Sequence, residues 1–312
     1  MNEVWRVGIS FIMAFKSGFK KLGIGLAAFV LLLEVGLRFS GVTNFPIYEV
    51  DEKIGYIPAH DQAGLFIHKN HWVVNDLNMG VAEKWAPHGK KDAFLIGDSL
   101  VWGGNPLDQP AKLGPQLQQK APNWKIWPVS AGSWSVANPL IWMKRHPQAT
   151  AEMDSLIWII NSGDFAPASQ WKSDDTHPRA RPTSALDYVL KKYVLARLGL
   201  KTVVPESTGT ENGINTNIAN MWARNLTDLA NKGVRLTIVC YPNSDQLKED
   251  SSASQFKQFR AIAYAAKPKQ AVWIDLSRLP SWNTSLYRDS IHPNEKGCAE
   301  LAKIIQEKSK LF

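Results

Sequence analysis

Ala93-Phe94-Leu95-Ile96-Gly97-Asp98-Ser99-Leu100 is a short apolar run closed by a glycine-led polar turn. A continuous apolar run bounded by turn residues suits a strand covered on both faces, as in a parallel sheet. Four more such runs follow, at Lys125–Val129, Leu156–Ile160, Val234–Cys240 and Ala271–Ile274, separated by helix-length segments. Strands alternating with helices imply right-handed crossovers, so an α/β protein is expected, a three-layer α/β/α sandwich on a five-stranded parallel sheet.

Ligands of an open parallel sheet bind beyond the carboxyl ends of its strands, so the residues that close each run are the informative ones. Ser99 follows the first run and Ala131-Gly132-Ser133 the second. Asn161-Ser162-Gly163-Asp164 follows the third, and Asp289-Ser290-Ile291-His292-Pro293-Asn294 lies beyond the fifth. A serine hydroxyl becomes a nucleophile when a histidine takes its proton, and that histidine needs a carboxylate to orient it. Asp289 and His292, three apart, suit that pairing. A serine after a strand is often only a helix N-cap, so Gly-Asp-Ser-Leu alone is a weak signal. Its coincidence with Asp-x-x-His makes it a strong one.

These blocks resemble the SGNH (GDSL-type) hydrolase superfamily over roughly residues 91–312, Gly97-Asp98-Ser99-Leu100 matching its first block and Asp289-x-x-His292 its last. The resemblance implies a flavodoxin-like sheet. It also implies Ser99 as nucleophile, His292 as general base, Asp289 as its orienting partner, and the backbone N–H groups of Ser99 and Gly132 as oxyanion donors. The third block of that family reads Gly-x-Asn-Asp, whereas here Gly163 stands where the Asn donor is expected. Asn161 is taken as a shifted substitute.

Residues 22–37 read LGIGLAAFVLLLEVGL with the single charge Glu34, and Phe39 extends the run past Arg38. That length is borderline for a bilayer span, and a cleaved signal or a buried core helix must be weighed against it. Arg6, Lys16, Lys20 and Lys21 precede it, while Glu49, Asp51 and Glu52 follow. By the positive-inside rule this favours a retained anchor with the main domain exported, in a bacterial setting to the periplasm. The expected organisation is a cytoplasmic start and anchor over 1–40, an irregular lead-in over 41–90, and the hydrolase-like domain over 91–312. Around 165–212 that domain carries an insertion whose Lys172–Thr183 part is polar and whose Ser184–Leu200 part is helical in pattern, a candidate lid.

The net charge is +8, part of it in the first 40 residues, and no basic run interleaved with aromatics points to nucleic acid. Two cysteines, Cys240 and Cys298, are too few for a disulfide scaffold, and an exported domain leaves both a bridge and free thiols open. His60, His68, His71, His88, His146 and His177 lack metal-ligand spacing and are read as surface or packing residues; no metal or other cofactor is expected. Of thirteen Trp, four fall in rim loops: Trp102, Trp134, Trp171 and Trp282. Flat rings there suggest either a sugar-stacking platform or ordinary loop packing.

The function expected from these features is a membrane-anchored serine esterase or O-acyltransferase that removes or moves acetyl groups on a cell-envelope or extracellular polysaccharide. Anchored members of the resembled family suggest polysaccharide biosynthesis or export machinery as a partner. Two other functions stay open: a non-catalytic polysaccharide-binding component, favoured by Gly163, and a lipid-directed esterase, favoured by the anchor.

Overall fold

A computed structural model describes residues 3–89, 91–199, 214–247 and 251–309. These residues fall into two units, the chain to Asn44 with the segment from Pro182, and Phe45–Arg181 with the C-terminal part.

The larger unit is built on strands β5 (Asp92–Gly97), β6 (Lys125–Ser130), β7 (Ser155–Ile160), β8 (Arg235–Cys240) and β9 (Val272–Asp275). They form one all-parallel sheet in the order β6-β5-β7-β8-β9. Read by position, that order is 2-1-3-4-5, the flavodoxin-like doubly wound arrangement. Successive side chains of a strand point to opposite faces, and here both faces are dry. Phe94, Ile96, Trp127, Val129, Leu156, Trp158 and Ile160 pack to one side, under α4 (Ala137–Arg145), α5 (Pro147–Ala151), α8 (Thr216–Asn231) and α9 (Ser251–Ala266). Leu95, Ile126, Ile157, Ile159, Val239 and Ile274 pack to the other, under α2 (Ser99–Trp102), α3 (Leu113–Lys120) and α10 (Glu295–Lys308). The expected α/β/α sandwich is therefore present, and each strand starts and ends within about one residue of its apolar run.

The lead-in differs from expectation. Residues 48–74 are two antiparallel hairpins, β1 (Tyr48–Asp51) with β2 (Gly55–Pro58) and β3 (Gln62–Phe66) with β4 (Asn70–Val74). Strands of four or five residues mixing charged, proline and glycine positions leave no alternation long enough to read. Ile54, Tyr56, Ile57 and Met79 join the core beside β5 and β6, so the segment completes the sandwich.

Asn138, fully buried on α4, makes the junction. Its amide nitrogen donates to the carbonyls of Ile54 (2.6 Å) and Ser169 (3.0 Å), and its Oδ1 accepts the backbone N–H groups of Ser135 and Ser169 (2.9 Å each). One side chain thus satisfies four backbone groups of three separate segments. Both cysteines are free and buried, which settles the bridge in favour of thiols.

The smaller unit holds α1 (Glu3–Phe39), of which Lys20–Phe39 is long and apolar enough to cross a membrane and has none of its length buried. The insertion is divided: its part from Pro182 groups with α1, whereas residues to Arg181 belong to the larger unit. The expected helix over 184–200 is seen as α6 (Ala185–Val189), a π-type turn (Leu190–Val194) and α7 (Leu195–Arg197); residues 200–212 of the insertion lie outside the described residues.

Asn138→Ala orphans buried donors and acceptors at about 1–3 kcal/mol each. Chemical denaturation should show the variant less stable by several such units, whereas the isosteric Asn138→Asp, which lacks the amide donor, should fall between.

Candidate active site

The ends of four strands, β5 to β8, and one loop supply the site. At the end of β5 the chain turns into α2 so sharply that a Cβ on Gly97 would come 2.7 Å from the Val101 side chain. Asp98 caps that helix, its Oδ1 accepting the Leu100 N–H at 2.9 Å. Ser99 is thereby the first helical residue, whose N–H has no intrahelical acceptor.

His292 Nε2 lies 2.8 Å from Ser99 Oγ, and His292 Nδ1 lies 3.0 and 2.9 Å from the two oxygens of Asp289. The loop that holds this pair is fixed locally. Asp289 Oδ1 accepts the N–H groups of Ile291 (2.9 Å) and His292 (2.7 Å), and Asn294 caps α10 through the Gly297 N–H. Gly297 has no room for a side chain, because a Cβ would strike the Leu286 carbonyl and Pro293. Burial pushes the Asp289 carboxyl up, but those two N–H groups and the His292 ring outweigh it and hold the group below the usual carboxylate range. The ionised Asp289 favours the His292 tautomer with its proton on Nδ1, which leaves the Nε2 lone pair facing Ser99 Oγ.

A cleft of about 110 Å³ opens beside Ser99 and His292. Its walls are mostly small and polar, among them Ser133, Ser135, Asn161, Ser162, Ser169 and Gln246. Ser133 adopts φ +59°, a left-handed conformation costing a non-glycine residue about 1–3 kcal/mol. Three bonds hold this wall: Tyr56 Oη to the Gly132 carbonyl (2.6 Å), Trp134 Nε1 to the Tyr56 carbonyl (2.8 Å) and Ser169 Oγ to the Ser133 carbonyl (2.5 Å). Gly132 itself does not line the cleft, and the three residues after Gly132 do.

Asn161 is not the free donor expected of it. Its amide nitrogen donates to Asp98 Oδ2 (3.0 Å) and Asp164 Oδ1 (3.3 Å), while its Oδ1 accepts the Gly163 N–H (2.9 Å). Both amide protons are therefore taken, by two buried carboxylates. Burial and the neighbouring Asp98 push Asp164 well above the usual range. Burial likewise raises Asp98, against hydrogen bonds from Leu100 and Asn161 and the attraction of His292.

Ser162, which the sequence reading passed over, lines the same cleft. Gln246 is locked by a reciprocal pair with Asn243, its Oε1 accepting the Asn243 N–H (3.0 Å) and its own N–H donating to Asn243 Oδ1 (2.8 Å). Its amide nitrogen must then face Ser162 and donates to Ser162 Oγ at 2.8 Å. Ser162 Oγ is thus an acceptor on that side and keeps its own hydroxyl proton to donate. The only advance signal was position, one residue from the missing third-block donor.

The tryptophan platform is not formed. Trp102, Trp134 and Trp282 are buried, each 6% exposed or less. Trp102 lies under the Lys112 ammonium, and Trp282 donates to Tyr287 Oη at 2.8 Å. Trp171 is half-buried outside the cleft, beneath the Arg179 guanidinium and bonded to the His177 carbonyl. Of the four only Trp134 reaches the cleft, as part of its wall.

A raised carboxyl reverses the usual acid linkage. The native state keeps a proton on Asp164 that the unfolded chain releases near pH 3.9, so the associated stability is whole below that pH and is lost as pH rises toward the folded value. Unfolding free energy should therefore fall as pH rises above about 3.9, by up to about 1.4 kcal/mol per pH unit until the native Asp164 ionises, and Asp164→Asn should remove that part of the slope.

No protein-family model and no curated protein matches the chain. Among solved structures it is similar to LAE5, an α/β hydrolase from the metagenome of Lake Arreo, Spain, at 12% identity and TM-score 0.45, covering 72% of this chain and 96% of that one. It is similar to Axe2, an acetylxylan esterase from Geobacillus stearothermophilus, at 13% identity and TM-score 0.41, covering 72% and 96%. A lipolytic protein of the G-D-S-L family from Desulfitobacterium hafniense matches at 13% identity and TM-score 0.42, covering 71% and 99%. Likeness at this level transfers no activity. Its own sheet order shows a flavodoxin-like α/β/α fold, with a Gly-Asp-Ser-Leu turn at the end of β5.

Proposed function

We propose that this chain is a membrane-tethered serine esterase that works through an acyl-enzyme on Ser99 and acts on short acyl esters, acetyl above all, of an exported polysaccharide. The observation that carries the reading is the continuous line from Asp289 through His292 to Ser99, with 2.8 Å between Nε2 and Oγ. His292 takes the Ser99 proton as Oγ attacks the ester carbonyl. The Ser99 N–H and the Ser162 hydroxyl donate to the oxyanion, Ser162 strengthened by the hydrogen bond it accepts from Gln246. His292 then protonates the departing alcohol. In the second half-reaction it deprotonates water or a sugar hydroxyl, which attacks the acyl-enzyme, so hydrolysis and transfer share every residue named.

The small cleft supports a short acyl group, and its serine- and amide-lined walls support a polyhydroxylated partner over a lipid chain. Export is supported by the apolar helix and by the basic residues ahead of it. The commitment of Asn161 to two carboxylates favours a second reading, a fold retained for binding alone, which the same assays decide.

Ser99→Ala, His292→Ala and Asp289→Ala should each abolish most hydrolysis of p-nitrophenyl acetate, and the triple variant should be little worse than the worst single one, because all three break one proton transfer. Additive losses, or faster turnover of long-chain than of acetyl esters, would contradict the proposal. Ser162→Ala should lower kcat by roughly 10- to 1000-fold with KM nearly unchanged, and Ser162→Thr should restore much of it. A thionoester, whose sulfur accepts hydrogen bonds poorly, should discriminate the wild type from Ser162→Ala far less than the oxygen ester does.

A further inference from the structure

The charge inside the apolar run has a partner. A helix starts with N–H groups that no turn of its own can satisfy. At the start of α6 the Glu34 carboxylate fills that need: it accepts the N–H groups of Ala185 (2.9 Å) and Leu186 (2.8 Å) and the Ser184 hydroxyl (2.9 Å). Arg38 pairs with Glu34 at 2.6 Å and donates to the Thr183 carbonyl. The segment that begins at residue 183 is therefore pinned to α1 five residues before Phe39, about 8 Å along the helix axis from that end.

From this pin the chain runs as α6, the π-type turn and α7, a stretch of 13 residues. Leu190, Tyr193, Val194 and Leu198 are all exposed large apolar side chains. Leu190, Tyr193 and Val194 lie in the π-type turn and Leu198 directly after α7, so four of nine consecutive residues present large apolar side chains to the outside. Lys191, Lys192 and Arg197 are interspersed, Lys191 paired with Asp187 at 2.8 Å and Lys192 set over the Tyr188 ring. A helical segment with exposed apolar side chains, an aromatic residue and several cations has the composition of one that lies in the plane of a membrane surface, its apolar side about 5–10 Å deep. The height of the pin matches that depth.

We propose that residues 185–198 are a membrane-surface foot, with Leu190, Tyr193, Val194 and Leu198 set among the acyl chains of the outer leaflet of the bilayer that α1 crosses and the cations toward its anionic headgroups. The segment that looked like a substrate lid from its position is in this account a second lipid contact. The inference rests on the reading of α1 as a span. It gives Glu34 a purpose, since a carboxylate so near a lipid boundary is costly unless it is fully bonded.

The test uses the full-length chain in phosphatidylcholine–phosphatidylglycerol vesicles, with single cysteines introduced for an environment-sensitive nitrobenzoxadiazole label. Cys240 and Cys298 stay unlabelled in the folded protein, being buried, with the Cys298 thiol pushed up to about 12. Labels at Val194→Cys and Leu198→Cys should shift to the blue and be quenched by lipids spin-labelled high on the acyl chain more than by deep ones. Leu31→Cys, inside α1, should be quenched best by the deep label, and Lys269→Cys, exposed on the larger unit, by neither. If Val194→Cys and Leu198→Cys are instead reached by aqueous iodide while Leu31→Cys remains lipid-quenched, the foot is overturned and the span stands. If iodide reaches Leu31→Cys as well, both fall. Should one variant fail to fold, the other carries the same comparison.

Discussion

Two carboxylates, Asp98 and Asp164, are buried within reach of one amide, and the candidate site is arranged around keeping them there. Asn161 donates to both, which ties the loop after β7 to the turn that presents Ser99. Two charges in such a place are costly, and burial together with the neighbouring Asp98 pushes Asp164 well above the usual carboxylate range. The cost of this arrangement appears on the other side of the cleft. With both protons of the Asn161 amide committed, the Ser162 hydroxyl, which accepts from Gln246, is a polar group of the cleft wall that keeps a proton to donate.

Rigidity comes from outside the sheet. Asn138 and Tyr56 fasten the loop after β6 to the first hairpin and to the start of the insertion. Ser133 can then be held in a backbone conformation that an isolated serine avoids. The hairpins over residues 48–74 are in this sense part of the cleft's foundation even though they contribute none of its lining residues.

Legibility followed the range of the physics. Doubly buried parallel strands must be apolar throughout, so Phe94, Trp158 and Val239 announced the sheet, and sheet topology brought Ser99 toward the loop of Asp289 and His292. Partnerships between distant residues left no such trace. Trp134 is buried because its indole finds the carbonyl of Tyr56, 78 positions away, and Asn161 is committed because Asp98 lies 63 positions away. The same holds for Glu34, which reads as a blemish in an apolar run until a helix start 151 positions later is brought against it. Short hairpins escaped notice for a different reason: four or five residues with mixed polarity carry no period.

Ser99 and His292 are 193 residues apart and meet through one hydrogen bond, whereas Asp289 and His292 organise themselves within a single loop. The half of the apparatus that sets the tautomer is thus complete as soon as its own tetrapeptide folds. The Ser99–His292 contact instead joins distant parts of the chain, as does the packing of α10, the last helix, on α3, one of the first. During synthesis Ser99 is made long before His292, the residue that bonds to it. Their contact can form only once nearly the whole chain exists.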